Sequence, residues 1–277
     1  MEKPPHGQER GPWRRGAKSS ARLVTILELN QKLYTDKMTV RGLEHATEIP
    51  PDRKVVIAVS HATDLDIPSV ATALCRHFDI AITNQSVQHE FFSDPGANIA
   101  TRVAGKENFM PVDYHWISGI KKPLKFNPEN FTAMAEKMDE GKTVIIAVHN
   151  PSFTGSLERA GYGAAYLAEI TGAVILPVRV TVRSAESKEE AGMVGHFLKT
   201  MKEHPEIDID IGVPFEPQPV EGIKDIAAFH DKRKHHEPVT KEDIARFDEL
   251  KNQLKAISAD VLARVAGASE QSESMAQ

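Results

Sequence analysis

Lys54 to Asp66 reads KVVIAVSHATDLD, and the fold follows from how this stretch divides. Val55 to Val59 is an uncharged, largely β-branched run between the polar Lys54 and Ser60. Runs of this kind form strands buried on both faces, as in parallel sheets covered by helices. From Asp66 to His77, Ile67, Val70, Leu74 and Cys75 recur at helical spacing. A buried strand, a short polar turn and an amphipathic helix open a βαβ unit.

The pattern repeats outward. Strands are expected at Met38 to Arg41, with Gly42 as a turn, at Asp79 to Thr83, Phe109 to Asp113, Thr143 to Val148 (TVIIAV), Ala173 to Val182 (AVILPVRVTV) and Ile207 to Val213. Helices are expected at Glu129 to Asp139, stopping at Gly141, and at Arg159 to Thr171, stopping at Gly172. The order predicts an α/β domain with a mostly parallel central sheet and flanking helices. Pro177 removes a ladder donor, so its strand is expected at an edge or bulged there.

The ends differ from the middle. Residues 1–18, with Arg10, Trp13, Arg14, Arg15 and Lys18, read as a disordered basic tail. Ser19 or Ser20 caps an amphipathic helix over 19–34 with Leu23, Ile26, Leu27 and Leu33 on one face, inside a domain spanning 19–228. That helix either packs on the domain or, with the Trp and Arg ahead of it, anchors at a membrane surface. Residues 229–277 read as a C-terminal helical arm with a frayed end. There His230 to His236 (HDKRKHH) is a polar link, Thr240 and Asp243 form a capping pair, and Ile244, Phe247, Leu250, Leu254, Ile257 and Val261 make an apolar stripe. The stripe suits docking on the domain or on a second copy, a possible homodimer.

Composition excludes several classes. The 277 residues carry 34 basic and 39 acidic side chains, a net of −5, against a protein built to bind nucleic acid. No apolar run approaches the ~18 residues of a membrane span, and Met1 to Arg15 lacks the apolar core of a signal peptide. The expectation is a cytoplasmic protein, free or peripheral on a membrane. The one cysteine, Cys75, excludes an intrachain disulfide and a cysteine-built zinc site, fits a reducing compartment, and falls on an apolar helix face as a core residue.

Chemistry concentrates at Ser60 to Asp66. His61 follows a buried strand and Asp66 opens a helix, with four residues between them. Ligands in α/β sheets gather beyond the carboxyl ends of strands. An imidazole there can take a proton from a substrate hydroxyl, while a carboxylate on its other nitrogen fixes the tautomer and stabilises the imidazolium. The bland reading makes His61 a polar strand-end residue and Asp66 a helix cap. A third reading has His61, Asp64 and Asp66 hold a divalent ion. A cluster of His230, His235 and His236 is better read as a solvated link. Ser152 sits in no G-x-S-x-G elbow, and Gly161 and Gly163 lack the third glycine of a dinucleotide loop and read as close packing.

The surrounding residues resemble the glycerolipid acyltransferases, the 1-acylglycerol-3-phosphate acyltransferase family with its H-x-x-x-x-D motif. Thr39 to Gly42 and Pro50 to Ser60 are similar to the stretch leading into that motif, and Ile67-Pro68 to its continuation. Gly163 to Ala168 (GAAYLA) resembles the helix after the third motif, and Gly172 to Val178 (GAVILPV) the fourth. The resemblance covers roughly residues 38–182 in the right order. It implies a glycerol-3-phosphate acyltransferase-like fold, His61 as general base, Asp66 as its orienter, and Pro177 beside the acyl-donor path. Acyl-CoA or an acyl carrier protein would be co-substrate, a lysolipid the acceptor and a membrane surface a partner, with no cofactor or metal.

Two motifs depart from the pattern. Phe109 to Tyr114 (FMPVDY) places Tyr114 where the family has a phosphate-binding arginine. Tyrosine has no charge and cannot form a bidentate clamp, so Lys106 or Arg102 would have to substitute. The third motif's glutamate, glycine and arginine become His149, Asn150 and Ser152. Asn150 and Ser152 remain candidates for the oxyanion. The dyad stays and the acceptor groups change. That pattern implies a less anionic acceptor than lysophosphatidate. The other reading is a catalytically silent protein that keeps the fold as a membrane-surface or partner-binding module.

Overall fold

The computed structural model describes residues 14–35, 37–60, 65–84, 105–111, 114–117, 120–123, 128–148, 161–183 and 204–274. In chain order the described elements are α1 (Ala21–Tyr34), β1 (Lys37–Arg41), α2 (Leu43–Thr47), β2 (Val55–Val59), α3 (Asp66–Leu74), β3 (Ile80–Asn84), β4 (Phe109–Pro111), β5 (Tyr114–Ile117), β6 (Ile120–Pro123), α4 (Pro128–Asp139), β7 (Thr143–Ala147), α5 (Gly163–Thr171), β8 (Val174–Arg183), β9 (Glu206–Ile211), α6 (Asp225–Lys234) and α7 (Lys241–Ser274). A short 3₁₀ turn, Lys106–Asn108, leads into β4.

Seven strands form one sheet in the order β1-β9-β8-β2-β7-β3-β4. From β8 to β4 every pairing is parallel, while β9 runs antiparallel to β8 and parallel to β1. This is the expected α/β architecture. Val55 to Val59 lies at the sheet's centre with all five residues fully buried, because helices cover both faces. Val55, Ile57 and Val59 pack with α1 and α3, whereas Val56 and Ala58 pack with α4, α5 and α7. Each fully buried Val, Leu or Ile contributes about 1.5–3 kcal/mol, so this strand is a principal anchor of both layers. α5 is nearly all small and apolar, with Ala164 to Ala168 buried. A Cβ on Gly163 would come within 3.2 Å of Ile146 and Phe131, the close packing expected there.

Several elements depart from expectation. Residues 14–18, read as part of a tail, are tied down. The N–H groups of Arg15 and Gly16 donate to Pro51 and Gly141 carbonyls at 2.8 Å each, and Asp79 N–H donates to Gly16 at 3.0 Å. The bonds run backbone to backbone, so composition does not reveal them. Ser20, not Ser19, caps α1, accepting from Leu23 N–H. Ser19 instead donates to Phe78 O and accepts from Ile80 N–H. Leu23 and Leu27 are buried as expected, but Leu33 is 51% exposed.

Pro177 is not on an edge, since β8 lies between β2 and β9. The bulge is present on the partner side. Val178 pairs with Ile211 and Ile175 with Phe215, so three steps along β8 face four along the partner. Gly212 N–H donates to Pro177 O at 2.9 Å, and the extra residue falls next to that pair, between Gly212 and Phe215.

The C-terminal region is part of the domain's cover. His230 to Lys234, expected as a link, belongs to α6, which Ile226 and Phe229 anchor by burial. Phe229 stacks on Phe247 of α7 with ring centroids 4.3 Å apart. The Thr240–Asp243 capping pair forms reciprocally, at 2.9 and 3.1 Å. Leu250, Leu254, Val261 and Val265 of α7 are buried against the sheet and α5, while Ile244 is 47% exposed. The apolar stripe is thus covered within the chain. The backbone of α7 runs on through Ser274, beyond the expected fraying point. Extending an established helix costs little compared with starting one.

Candidate active site

At the sheet's carboxyl edge β2 and β7 end level, while β8 runs on to Arg183. Val59 stands opposite Ala147 of β7 and Val178 of β8. Ser60 N–H donates to Val178 O at 3.0 Å and Val148 N–H to Val59 O at 2.9 Å. The next ladder donor, Val180 N–H, goes to the hydroxyl of buried Ser60 at 2.8 Å instead of to a backbone carbonyl. The serine side chain thereby ends the ladder one residue before His61. Spacing gives Ser60 no role, and its position directly before the histidine is the only signal of it.

α3 begins at the same edge. Asp66 sits in its first turn and is fully buried. An ionised carboxylate inside a protein is costly unless it is hydrogen-bonded or lies near positive charge, and a helix N-terminus supplies both N–H donors and a favourable dipole. Asp66 therefore starts a helix on the α1–α3 face of the sheet, seven positions after the end of β2. On this evidence of burial it is an internal group, unlike an exposed helix cap.

His61, Asp64, Arg102, His149, Asn150 and Ser152 lie outside the described residues. His61 follows Ser60 in sequence, and His149 follows Val148, whose neighbours β2 and β7 are paired. Tyr114 opens β5, three residues after β4 ends at the carboxyl side, and pairs with Pro123 in the hairpin. Lys106 stands apart. The 3₁₀ turn that it opens precedes β4, at the amino edge, where Asn108 accepts from Lys142 Nζ at 3.1 Å. The length of β4 separates it from the edge that carries Asp66.

Pro177 is also apart. It is buried opposite Ala58, and strand alternation puts it with Ile175 on the α5–α7 face, while Leu176 and Val178 face α3. The sheet lies between Pro177 and Asp66. A residue that spacing overlooks is Tyr162, just before α5, whose neighbour Gly161 donates to Val148 O at 2.6 Å. Burial pushes its phenol above the usual value, so it stays protonated near neutrality.

Among the described residues, no cluster of His, Cys, Asp and Glu is arranged to hold a metal ion, and no helix is long and apolar enough to cross a membrane. The edge offers a buried carboxylate at a helix N-terminus and, in β2, a strand that ends two positions before a histidine in sequence.

No protein-family model matches the chain, and no curated protein matches it. Among solved structures it is similar to the 1-acyl-sn-glycerophosphate (LPA) acyltransferase PlsC from Thermotoga maritima, with a TM-score of 0.46, 15% identity, and coverage of 87% of this chain and 79% of that one.

Proposed function

We propose that the protein is an O-acyltransferase that moves a fatty acyl group from a thioester, acyl-CoA or an acyl carrier protein, to a hydroxyl of a lysolipid or glycerolipid-like acceptor. The observation that carries the reading is the buried Asp66 in the first turn of α3, five residues after His61, which stands two positions past the end of the central strand in sequence. A carboxylate with no catalytic partner gains little from full burial, whereas one that orients an imidazole does.

In the reaction, His61 accepts the proton of the acceptor hydroxyl as its oxygen attacks the thioester carbonyl. The new C–O bond gives a tetrahedral oxyanion, which Asn150 or Ser152 would steady. Collapse breaks the C–S bond, and the departing thiolate takes the proton from the imidazolium. Asp66 holds the imidazole in the right tautomer. The acceptor hydroxyl is the nucleophile, so no protein serine is acylated. Tyr114, His149 and Ser152 offer less positive charge to the acceptor than an arginine set would, which supports an acceptor less anionic than lysophosphatidate.

The same substitutions favour a second reading, a silent fold acting as a membrane-surface or partner-binding module. One experiment separates the two. Purified protein is incubated with labelled long-chain acyl-CoA and a total lipid extract, then with acyl carrier protein as donor, beside His61→Ala. A His61-dependent acylated lipid establishes the transferase, and its head group names the acceptor. No product with either donor favours the module.

A further inference from the structure

We propose that Ser60 is the positioning residue of this site: its hydroxyl replaces its own carbonyl in the last rung of the β2–β8 ladder, and that exchange releases the peptide leading to His61 from the sheet at a fixed point. The inference deepens the acyltransferase reading and rests on it, because it assigns how the general base of that reading is aimed.

The last peptide of β2 is gripped from both sides. Its carbonyl, on Val59, accepts from Val148 N–H at 2.9 Å, and its N–H, on Ser60, donates to Val178 O at 3.0 Å. The chain ahead of β7's loop and the middle of β8 therefore hold that peptide in the plane of the sheet. The next peptide joins Ser60 to residue 61. In an unbroken parallel ladder, with its evenly spaced bonds, the Ser60 carbonyl would take the following donor of β8. That donor, Val180 N–H, goes to Ser60 Oγ at 2.8 Å. One residue thus joins the last held peptide to the first released one, and the chain pivots out of the sheet at the Ser60 Cα.

The pivot is fixed rather than loose. Ser60 is 5% exposed and Val180 6%. Val180 is held from its far side too, opposite the fully buried Ile209 of β9. An aliphatic side chain at position 60 offers no acceptor. The strand would then either keep its own carbonyl in the ladder or leave a buried N–H unpaired, which native structures avoid. Serine and threonine escape both outcomes, since each carries an accepting oxygen on Cβ. Asparagine carries its acceptor one bond further out. The requirement is therefore for a hydroxyl at this place and not for polarity in general. A serine that only capped the strand would leave the histidine after it unaffected; a positioning serine is recognised by what its loss does to that histidine.

Ser60→Thr keeps the hydroxyl, and Ser60→Val has the same shape without it, so the pair isolates one oxygen. Both are compared with the parent protein and with His61→Ala in the transfer assay. The His61 imidazole is also titrated by NMR, its signal among the twelve histidines identified by its loss in His61→Ala. The threonine variant should keep kcat within about threefold. The valine variant should lose about tenfold or more with KM for the acyl donor unchanged, because misplacing a reacting group by an ångström can cost about a hundredfold. The His61 titration should coincide in the parent and the threonine variant. In the valine variant it should move toward the ordinary value of about 6.5, as the pairing with Asp66 loosens. Ser60→Ala stands in for valine if the added methyl group disturbs folding. Equal kcat and equal titration in the variants with and without the hydroxyl overturn the proposal and leave the enzyme reading intact. A fall in kcat with the His61 titration unmoved overturns it as well, and makes Ser60 a strand cap. No His61-dependent transfer by the parent protein overturns the enzyme reading, and this role with it.

Discussion

The two edges of the sheet are built differently. At the amino edge, residues 15–19 run beneath β2, β7 and β3 and bond to each approach in turn, through Pro51, Gly141, Asp79 and Ile80. Arg15 donates to Ile49 and Arg53 carbonyls and lies 4.6 Å from the Phe78 ring centre. Lys142 joins Asp79 to Asn108 at 3.0 and 3.1 Å. The connections there are short, with three residues between α4 and β7 and two between α5 and β8. At the carboxyl edge, six residues separate β2 from α3 and fifteen separate β7 from α5. Asp66, the described member of the sequence-marked pair, opens α3 there. A stitched edge supports stability and an edge of longer connections supports function. On that division, substitutions at one edge should cost activity without stability, and at the other stability without activity.

The largest effect tests the carboxyl edge. His61→Ala should lower turnover by about a thousandfold, within the span that general-base removal produces, while the melting temperature stays put. If activity survives within a few-fold, the site is elsewhere. Asp66→Asn comes next, at about a hundredfold, since it leaves the shape and disturbs the tautomer. It also sharpens the division, because Asp66 is fully buried. A stability loss equal to the activity loss would make it a structural group.

The amino edge should answer in the opposite sense. Ser19→Ala removes an acceptor from Ile80 N–H and a donor to Phe78 O, both buried. About 1–3 kcal/mol of stability should go, read by denaturant unfolding, with kcat unchanged in the folded enzyme. Arg15→Ala should cost about 1–2 kcal/mol, for the two carbonyl contacts and the ring. A fall in kcat in either variant at a temperature where it is fully folded would break the division.

Legibility in the sequence follows the same line. β2, β7 and α3 are readable because burial on two faces or one leaves an unbroken apolar run or a helical stripe, and the Thr240–Asp243 pair is readable because the cap uses those side chains. Residues 14–18 are not readable, because the backbone of Arg15 and Gly16 and the Arg15 guanidinium bond to carbonyls remote in sequence, and composition suggests only a basic tail. α6 hides behind five charged or histidine side chains between His230 and Lys234, and two apolar residues, Ile226 and Phe229, are enough to dock it. Pro177 announces a bulge but not its side. The strand interrupted is the partner, which no local pattern around the proline can show. At the site, spacing marks Asp66 but does not show that it is buried. Ser60 and Tyr162 act through strand ends that only the assembled sheet aligns.

The smallest effect belongs to neither edge. His230 lies edge-on to Phe229 and Phe247, where α6 meets α7. Burial first, then Arg233, hold its imidazole below the ordinary value of 6.5, with Asp231 opposing. The native state therefore stays neutral while the unfolded chain takes up a proton as pH falls below about 6.5. The unfolded state then binds more protons, so stability declines as pH drops from that value to the lower folded one, and is flat below both. His230→Phe should remove that part of the slope in the pH dependence of the melting temperature. Hydrogen exchange in the same window should quicken in α6 and the first turns of α7, and leave the amides of β2 and β7 untouched. An identical slope in the variant would assign the acid sensitivity to another group. Quickened exchange at the strand ends would tie the helical cover to the carboxyl edge and make the two regions one cooperative unit.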